Sequence, residues 1–199
     1  MIKIFLEIIT LSAFYKVVSS KNSSPVLVGV ILQPSPDSLS KILPGVPKDT
    51  TLYVIESYIN QISSAGGVPV LVPFDLPQNS LRYLLDNLQI LLLPGGPTEI
   101  MNLDGSPSAY QNRMHFIIKY AKERNDNGRY FPILATCQGF QNMLVSMAGQ
   151  NLTTLQGGFN NTNVNRSVII LEDEVPKTKL FSKMYTDDLK WFFQQGYAF

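Results

Sequence analysis

Hydrophobic residues in this chain fall into short continuous runs that alternate with stretches of helical period. Residues 26–32 form the first run, between Pro25 and Pro34, and its length and β-branched content predict a buried strand. Comparable runs predict further strands at residues 68–72, 90–93, 131–135 and 168–171. Apolar strands that alternate with amphipathic helices indicate an α/β protein with a doubly wound, mostly parallel sheet and helices on both faces.

The helices are predicted from apolar spacing and from capping residues. The first should begin at a cap formed by Asp49 or Thr50 and end at Gly66-Gly67. Further helices are predicted around residues 81–88, 109–124, 138–148 and 186–193. Residues 197–199 have the pattern of another strand, so we expect the sequence either to be truncated there or to lack strands that it does not need.

The N-terminal 20 residues have the pattern of a secretory signal peptide. Lys3 precedes an apolar stretch, and Val18 and Ser20 occupy the −3 and −1 positions of a signal-peptidase site. The alternatives are a membrane anchor or an ordinary first helix, but the apolar stretch is too short to span roughly 30 Å and Glu7 interrupts it. We therefore expect cleavage after Ser20, a domain over residues 21–199, and no stable membrane anchor.

Asn-x-Ser/Thr tripeptides, the acceptors for N-linked glycans, occur at Asn22, Asn151, Asn160 and Asn165. The last three crowd into an Asn- and Thr-rich stretch that we expect to be an exposed loop. Together with the leader, they predict a glycoprotein of the secretory pathway, located in the extracellular space or in a lysosome or vacuole.

Composition narrows the possible partners. The 199 residues are 45% hydrophobic and 16% charged, which is typical of one globular domain. The formal net charge is +1 and the acids and bases are interspersed, so no basic face for nucleic acid is expected. Small molecules and other proteins remain as partners.

Cys137 is the only cysteine, and it lies where a predicted strand turns sharply into a predicted helix. This is the layout of a nucleophile elbow, in which the start of the helix favours a thiolate. Gly139 permits close packing of helix on strand, and the backbone N–H of Gln138 lies where an oxyanion would develop. The structural alternative is a buried cysteine at a strand–helix junction.

A second turn at the carboxyl edge of the sheet is predicted at Pro94-Gly95-Gly96, one β-α unit before the cysteine. Backbone without side chains can approach a substrate closely there and offer an N–H donor. The motif alone is usually only a turn. Its position matters because open α/β sheets bind ligands at the carboxyl ends of their strands.

The order of these motifs resembles the γ-glutamyl hydrolase family of the class I glutamine amidotransferase-like superfamily. The motifs are Leu-Pro-Gly-Gly at residues 93–96 and, after a helix, Tyr-Phe-Pro at 130–132 leading into Thr-Cys-x-Gly-Phe at 136–140. Further agreement lies in the first strand, in Ser57-Tyr58, and in residues 64–70. The resemblance extends over about residues 25–199.

The resemblance implies hydrolysis of γ-glutamyl bonds, with folate polyglutamates as the substrate and neither cofactor nor metal. Cys137 would be the nucleophile of this cysteine peptidase of the omega type. The backbone N–H groups of Gln138 and Gly96 would bind the oxyanion, and Gly95 would shape the substrate-binding loop. The sequence departs from the family at Ala135, commonly Gly, and at Gln138, commonly Leu, whose side chain we expect to affect mainly packing and specificity.

Histidine is the largest departure. The family takes its proton shuttle from a His-x-Glu motif far downstream of the cysteine, and this chain contains only His115. The apolar face of the helix predicted at residues 109–124 is centred elsewhere, so we expect His115 to be solvated and not catalytic. The family's second half of the site, including an Asn-His segment, is expected beyond the strand predicted at 197–199.

Two other functions fit parts of the pattern. One is a catalytically inactive paralogue that keeps the elbow and acts as a binding or structural protein. The other is the glutaminase domain of an amidotransferase, which agrees with the motifs but not with a secretory leader. A homodimer is compatible with all of these hypotheses.

Overall fold

The computed structural model describes residues 24–36, 45, 51–157 and 177. Its strands are β1 (Leu27–Pro34), β2 (Leu52–Tyr53), β3 (Val68–Pro73), β4 (Ile90–Leu93) and β5 (Ile133–Ala135). Its helices are α1 (Glu56–Ser64), α2 (Gln78–Asp86), α3 (Ala109–Asp126) and α4 (Gln138–Met147), followed by a short 3₁₀ helix at Leu152–Thr154. The chain divides into two compact units, and all of these elements lie in the unit Thr10–Gln156.

The strands form one mixed, mostly parallel sheet. β1 pairs in parallel with β3 on one side and with β4 on the other, and β4 pairs in parallel with β5. β2 adds a short antiparallel pairing at the end of β1, where Gln33 is opposite Tyr53 and Pro34 is opposite Leu52. Because the parallel strands end at the same edge, the residues that follow β1, β4 and β5 converge there.

Helices cover both faces of the sheet. Successive side chains of a strand point to opposite faces, and those of β4 contribute to two apolar cores, one on each face. Leu91 and Leu93 pack with buried residues of α2 and α3 on one face. Ile90 and Leu92 pack with α1, through Ile62, on the other. The predicted α/β class, with a mostly parallel sheet and helices on both faces, is therefore confirmed.

The start of the first helix was predicted wrongly. The capping residues Asp49 and Thr50 lie outside the described residues, and α1 begins only at Glu56, after Ile55 in an extended conformation (φ −74°, ψ 127°). The residues before it pair with β1 instead, an arrangement that the Ser35 N–H extends by donating to Thr51 O at 3.0 Å. A strand partner distant in sequence thus outweighed the local helical spacing.

The other predicted elements within the described residues are present, with small shifts of their ends. The predicted leader at residues 1–20 lies outside the described residues, as do the strand at 168–171, the helix at 186–193 and the strand at 197–199. None of the helices among the described residues combines the length and the apolar character that a membrane span requires.

A hydrogen-bonded junction at the end of α3 sets the start of β5, the strand that leads to Cys137. The Asn125 side chain donates to Phe131 O and accepts from Phe131 N, both at 2.8 Å. The fully buried ring of Phe131 is capped by the Arg124 guanidinium, 4.3 Å from the ring centroid. These contacts hold the chain in position where it enters the sheet.

Candidate active site

Cys137 lies in a strained turn between β5 and α4. Its backbone has φ 52° and ψ −117°, a conformation that L side chains rarely adopt and that typically costs about 1–3 kcal/mol. The turn is held by Thr136 N donating to Leu93 O at 3.0 Å and by Gly139 N donating to Thr136 O at 2.9 Å. The residue is exposed. This is the geometry of a nucleophile elbow, and it excludes the alternative of a buried structural cysteine.

Gly139 allows α4 to begin directly against β4. A Cβ atom at this position would lie 2.7 Å from the Leu93 carbonyl carbon and closer still to its oxygen. Because that oxygen also accepts the hydrogen bond from Thr136 N, it cannot retreat without disturbing the turn. The predicted close packing of helix on strand is confirmed.

The turn at Pro94-Gly95-Gly96 lies against the elbow, as the motif order predicted. A Cβ atom on Gly95 would lie 2.9 Å from the Cβ of Cys137. A Cβ atom on Gly96 would overlap the side-chain oxygen of Gln33. Both glycines are therefore required by close approach, one to the cysteine and the other to the end of β1.

The backbone N–H groups near Cys137 differ in whether they are already paired. Gly95 N donates to the Tyr58 hydroxyl at 2.8 Å. Within the described part of the chain, the N–H groups of Gly96 and Gln138 have no acceptor. At Gln138 this follows from its place in the first turn of α4, where N–H groups lack intrahelical partners. The two donors assigned by resemblance are thus both unpaired among the described residues, as is the N–H of Cys137 itself.

Tyr58, on α1, is a residue of this site that spacing did not identify. Its Oη lies 3.0 Å from the same Gly95 Cβ position that is 2.9 Å from the Cβ of Cys137, so the hydroxyl is within about 6 Å of that Cβ. Burial raises the pKa of Tyr58, the N–H of Gly95 lowers it, and negative charge on Cys137 raises it. The phenol therefore keeps its proton near neutral pH. Only its place in the Ser57-Tyr58 motif marked it in the sequence.

The side chain of Gln138 makes contacts that the sequence did not predict. Its Oε1 accepts from Thr98 N at 3.1 Å, and its Nε2 donates to Thr98 O. Gln33, at the end of β1, donates from Nε2 to Pro94 O at 3.4 Å and approaches Gln138 Oε1 at 3.5 Å. Both glutamines are almost fully buried. Two side-chain amides thus connect β1, the turn after β4 and the start of α4.

A family model described as Peptidase C26 matches residues 27–184, which is more than half of the chain. The chain belongs to the peptidase C26 family. The resemblance to γ-glutamyl hydrolases, stated from the motifs alone, is confirmed by this match and by the relatives.

Curated relatives of the peptidase C26 chain carry γ-glutamyl hydrolase names. It is 28% identical to gamma-glutamyl hydrolase B of Dictyostelium discoideum over 87% of this chain and 48% of that protein. It is 30% identical to gamma-glutamyl hydrolase of Mus musculus over 64% of this chain and 37% of that protein. It is 36% identical to gamma-glutamyl-gamma-aminobutyrate hydrolase PuuD of Escherichia coli (strain K12), over 47% of this chain and 39% of that protein. The chain spans at most about half the length of these relatives.

His115, on α3, is half-buried, so the prediction of a solvated side chain was wrong. Its Nδ1 is buried and has no hydrogen-bond partner among the described residues. One turn earlier, Gln111 Nε2 donates to Ser146 Oγ at 3.0 Å. Ser146 lies about 13 Å along α4 from Cys137, at a rise of roughly 1.5 Å per residue. Gln111 also pairs with Asn142, which accepts from and donates to its side-chain amide, and no hydrogen bond among the described residues joins His115 to the elbow.

Of the predicted glycan acceptors, only Asn151 lies within the described residues. It is exposed and caps the 3₁₀ helix, where its Oδ1 accepts from Thr153 N at 3.1 Å and from Thr153 Oγ1 at 2.7 Å. Asn22, Asn160 and Asn165 lie outside the described residues. Glycosylation at all four positions stays a prediction.

Proposed function

We propose that this protein hydrolyses γ-glutamyl amide bonds, with Cys137 as a covalent nucleophile. The observation that carries the proposal is the strained, exposed cysteine at the start of α4, with two unpaired N–H donors on the elbow and on the adjacent glycine turn. Such a cysteine lies at the positive end of the α4 dipole, beside the free N–H groups of the first helical turn.

In the proposed reaction, the Cys137 sulfur attacks the γ-carbonyl carbon and a carbon–sulfur bond forms. The carbonyl electron pair moves to oxygen, where the N–H groups of Gly96 and Gln138 stabilise the negative charge. The tetrahedral intermediate collapses, the carbon–nitrogen bond breaks, and the amine leaves with the proton that the thiol has given up. Water then attacks the thioester, which releases the γ-carboxylate and restores the thiol.

The described residues supply the nucleophile and the oxyanion donors of this reaction. The proposal does not assign a proton donor for the leaving amine, since no hydrogen bond among the described residues links His115, the only histidine of the sequence, to Cys137. For substrate, we propose a chain of γ-linked glutamates, and folate polyglutamate in particular. The names of the relatives support the γ-glutamyl bond, and the folate rests on the motif resemblance.

The test compares full-length wild-type protein with the Cys137→Ala variant on three substrates: a folate polyglutamate, a γ-glutamyl-γ-aminobutyrate conjugate and free glutamine. We expect release of glutamate from the polyglutamate, and a loss on the order of 10⁶-fold in kcat when the nucleophile is removed. Ammonia release from glutamine alone would favour a glutaminase. No Cys137-dependent turnover on any substrate would leave the elbow as architecture and refute the proposal.

We also propose that the protein enters the secretory pathway and is delivered to the extracellular space or to a lysosome or vacuole. The leader pattern at residues 1–20 and the exposed acceptor Asn151 support this route. Protein from its native source should lose residues 1–20 and increase in electrophoretic mobility after treatment with an N-glycosidase. An intact N-terminus together with unchanged mobility would contradict the proposal.

A further inference from the structure

The turn that contains Gly96 is held on both sides. Before Gly96, the N–H of Gly95 donates to the Tyr58 hydroxyl at 2.8 Å. After it, Thr98 pairs with the buried side chain of Gln138 through both its N–H and its C=O. The hydroxyl of Thr98 has no hydrogen-bond partner in the described part of the chain, so the main-chain pairing to Gln138 is its polar anchor there.

This pairing resembles one rung of a β-ladder in which a side-chain amide replaces a strand. The Oε1 of Gln138 accepts from Thr98 N at 3.1 Å while its Nε2 donates to Thr98 O. A planar amide that meets both main-chain groups of one residue fixes that residue's orientation as well as its distance. Pro97 lies between Gly96 and Thr98. Because its ring fixes φ, fewer free backbone torsions separate Gly96 from the fixed position of Thr98.

We propose that the Gln138 side chain is a positioning residue for the oxyanion site, an inference that rests on the proposed function. The backbone N–H of Gln138 would be one oxyanion donor, and its side chain would hold in register the turn that carries the other, Gly96. Oxyanion donors accelerate a reaction only when they are preorganised around the position of the developing charge. A turn with two adjacent glycines has little conformational restriction of its own, and in this chain the Gln138 side chain supplies a brace at a position where the family commonly has leucine.

A purely structural role for the buried amide would have different consequences. If the amide only stabilised the fold, its loss would disturb the elbow and the glycine turn together. If it positions the turn, its loss would disturb the glycine turn and leave the elbow intact. The thiol of Cys137 would keep its reactivity toward reagents that form no oxyanion, while turnover would fall.

The experiment uses the full-length protein, the variants Gln138→Leu and Gln138→Glu, and the control Gln141→Leu, an exposed position on the next turn of α4. We measure kcat and KM on a γ-glutamyl substrate, the rate of Cys137 alkylation by iodoacetamide, and hydrogen exchange in a peptide covering residues 94–99. For Gln138→Leu we expect kcat to fall about 10²-fold to 10³-fold, as when one oxyanion donor is lost. We expect KM and the alkylation rate to stay within about threefold of wild type, and exchange at Thr98 to accelerate. The control should match wild type in all four measurements.

The Gln138→Glu variant tests rescue. A protonated carboxyl group can accept from Thr98 N and donate to Thr98 O, as the amide does, whereas the carboxylate can only accept. Burial raises the pKa of a carboxyl group, so both forms should be accessible in the assay range. The ratio of variant to wild-type kcat should therefore be highest at low pH and fall as pH rises, while the Gln138→Leu ratio stays flat.

The outcomes separate this inference from the proposed function. If wild type is active and Gln138→Leu retains its kcat, or if kcat and alkylation fall in parallel, the positioning role is refuted and the proposed function stands. Should Gln138→Leu fail to fold, the Gln138→Glu ratio decides, and a ratio that does not change with pH refutes the inference. If wild type itself shows no Cys137-dependent turnover, the proposed function fails and this inference fails with it.

Discussion

Replacement of Gly139 by alanine should destabilise the protein and disturb the elbow at the same time. The added Cβ would lie 2.7 Å from the carbonyl carbon and 2.9 Å from the Cβ of Leu93, distances that real contacts essentially never show. Relief requires α4 and β4 to separate by about 1 Å, and overpacking of this kind typically costs about 1–3 kcal/mol. Weakening the hydrogen bond from Thr136 N to Leu93 O adds about 1 kcal/mol.

The effect of helix propensity acts in the opposite direction. Alanine is favoured over glycine in a helix by up to about 1 kcal/mol, and by less near a helix start such as that at Gly139. The net loss in free energy of unfolding should therefore be about 2–3 kcal/mol. For a protein of this size or larger, that corresponds to a Tm lower by roughly 4–12 °C. A displacement of about 1 Å at the nucleophile should also reduce kcat on the order of 10²-fold.

Urea unfolding and thermal melts of the full-length protein measure the first effect, and γ-glutamyl hydrolysis measures the second. Gly157→Ala is the matched control, because its added Cβ would meet no atom within 4 Å. That variant should stay within about 0.5 kcal/mol of wild type. If Gly139→Ala unfolds at the wild-type midpoint and hydrolyses at the wild-type rate, the close packing does not constrain the elbow and our reasoning about it is wrong.

Three further predictions concern strain, the histidine and the start of β5. Cys137→Gly should be more stable than Cys137→Ala by about 1 kcal/mol in urea unfolding, because glycine adopts the positive φ without strain. A glycine variant less stable than the alanine variant would show that the turn is unstrained. His115→Ala should keep kcat within about threefold of wild type, because His115 is not assigned to the reaction. Loss of a general base costs roughly 10²-fold to 10⁴-fold, and a decrease of that size would place His115 in the reaction. Asn125→Ala should lower the free energy of unfolding by about 2 kcal/mol, because it leaves the N–H and C=O of Phe131 without their side-chain partner. An unchanged urea midpoint would show that water replaces the Asn125 side chain.

Much of the fold could be predicted from the sequence because it depends on local periodicity. β3, β4 and α3 begin at or very near the predicted residues, since each is a continuous apolar run or a helical stripe with its own start and stop residues. The start of α1 could not be predicted in this way. Residues 52–53 form a strand only because the end of β1 lies beside them, and that partner is distant in the chain.

The same division holds for the candidate site. The elbow could be predicted from the sequence, because an apolar strand, Cys137 and a glycine two residues later follow one another in the chain. The groups that surround the elbow, in contrast, depend on how the strands and helices pack in three dimensions. The contacts of Tyr58 with Gly95 and of Gln138 with Thr98 join elements that the strand order brings to one edge of the sheet. No local pattern encodes such pairs, because the contacting residues are distant in sequence. They are neighbours only in a sheet in which β4 lies between β1 and β5.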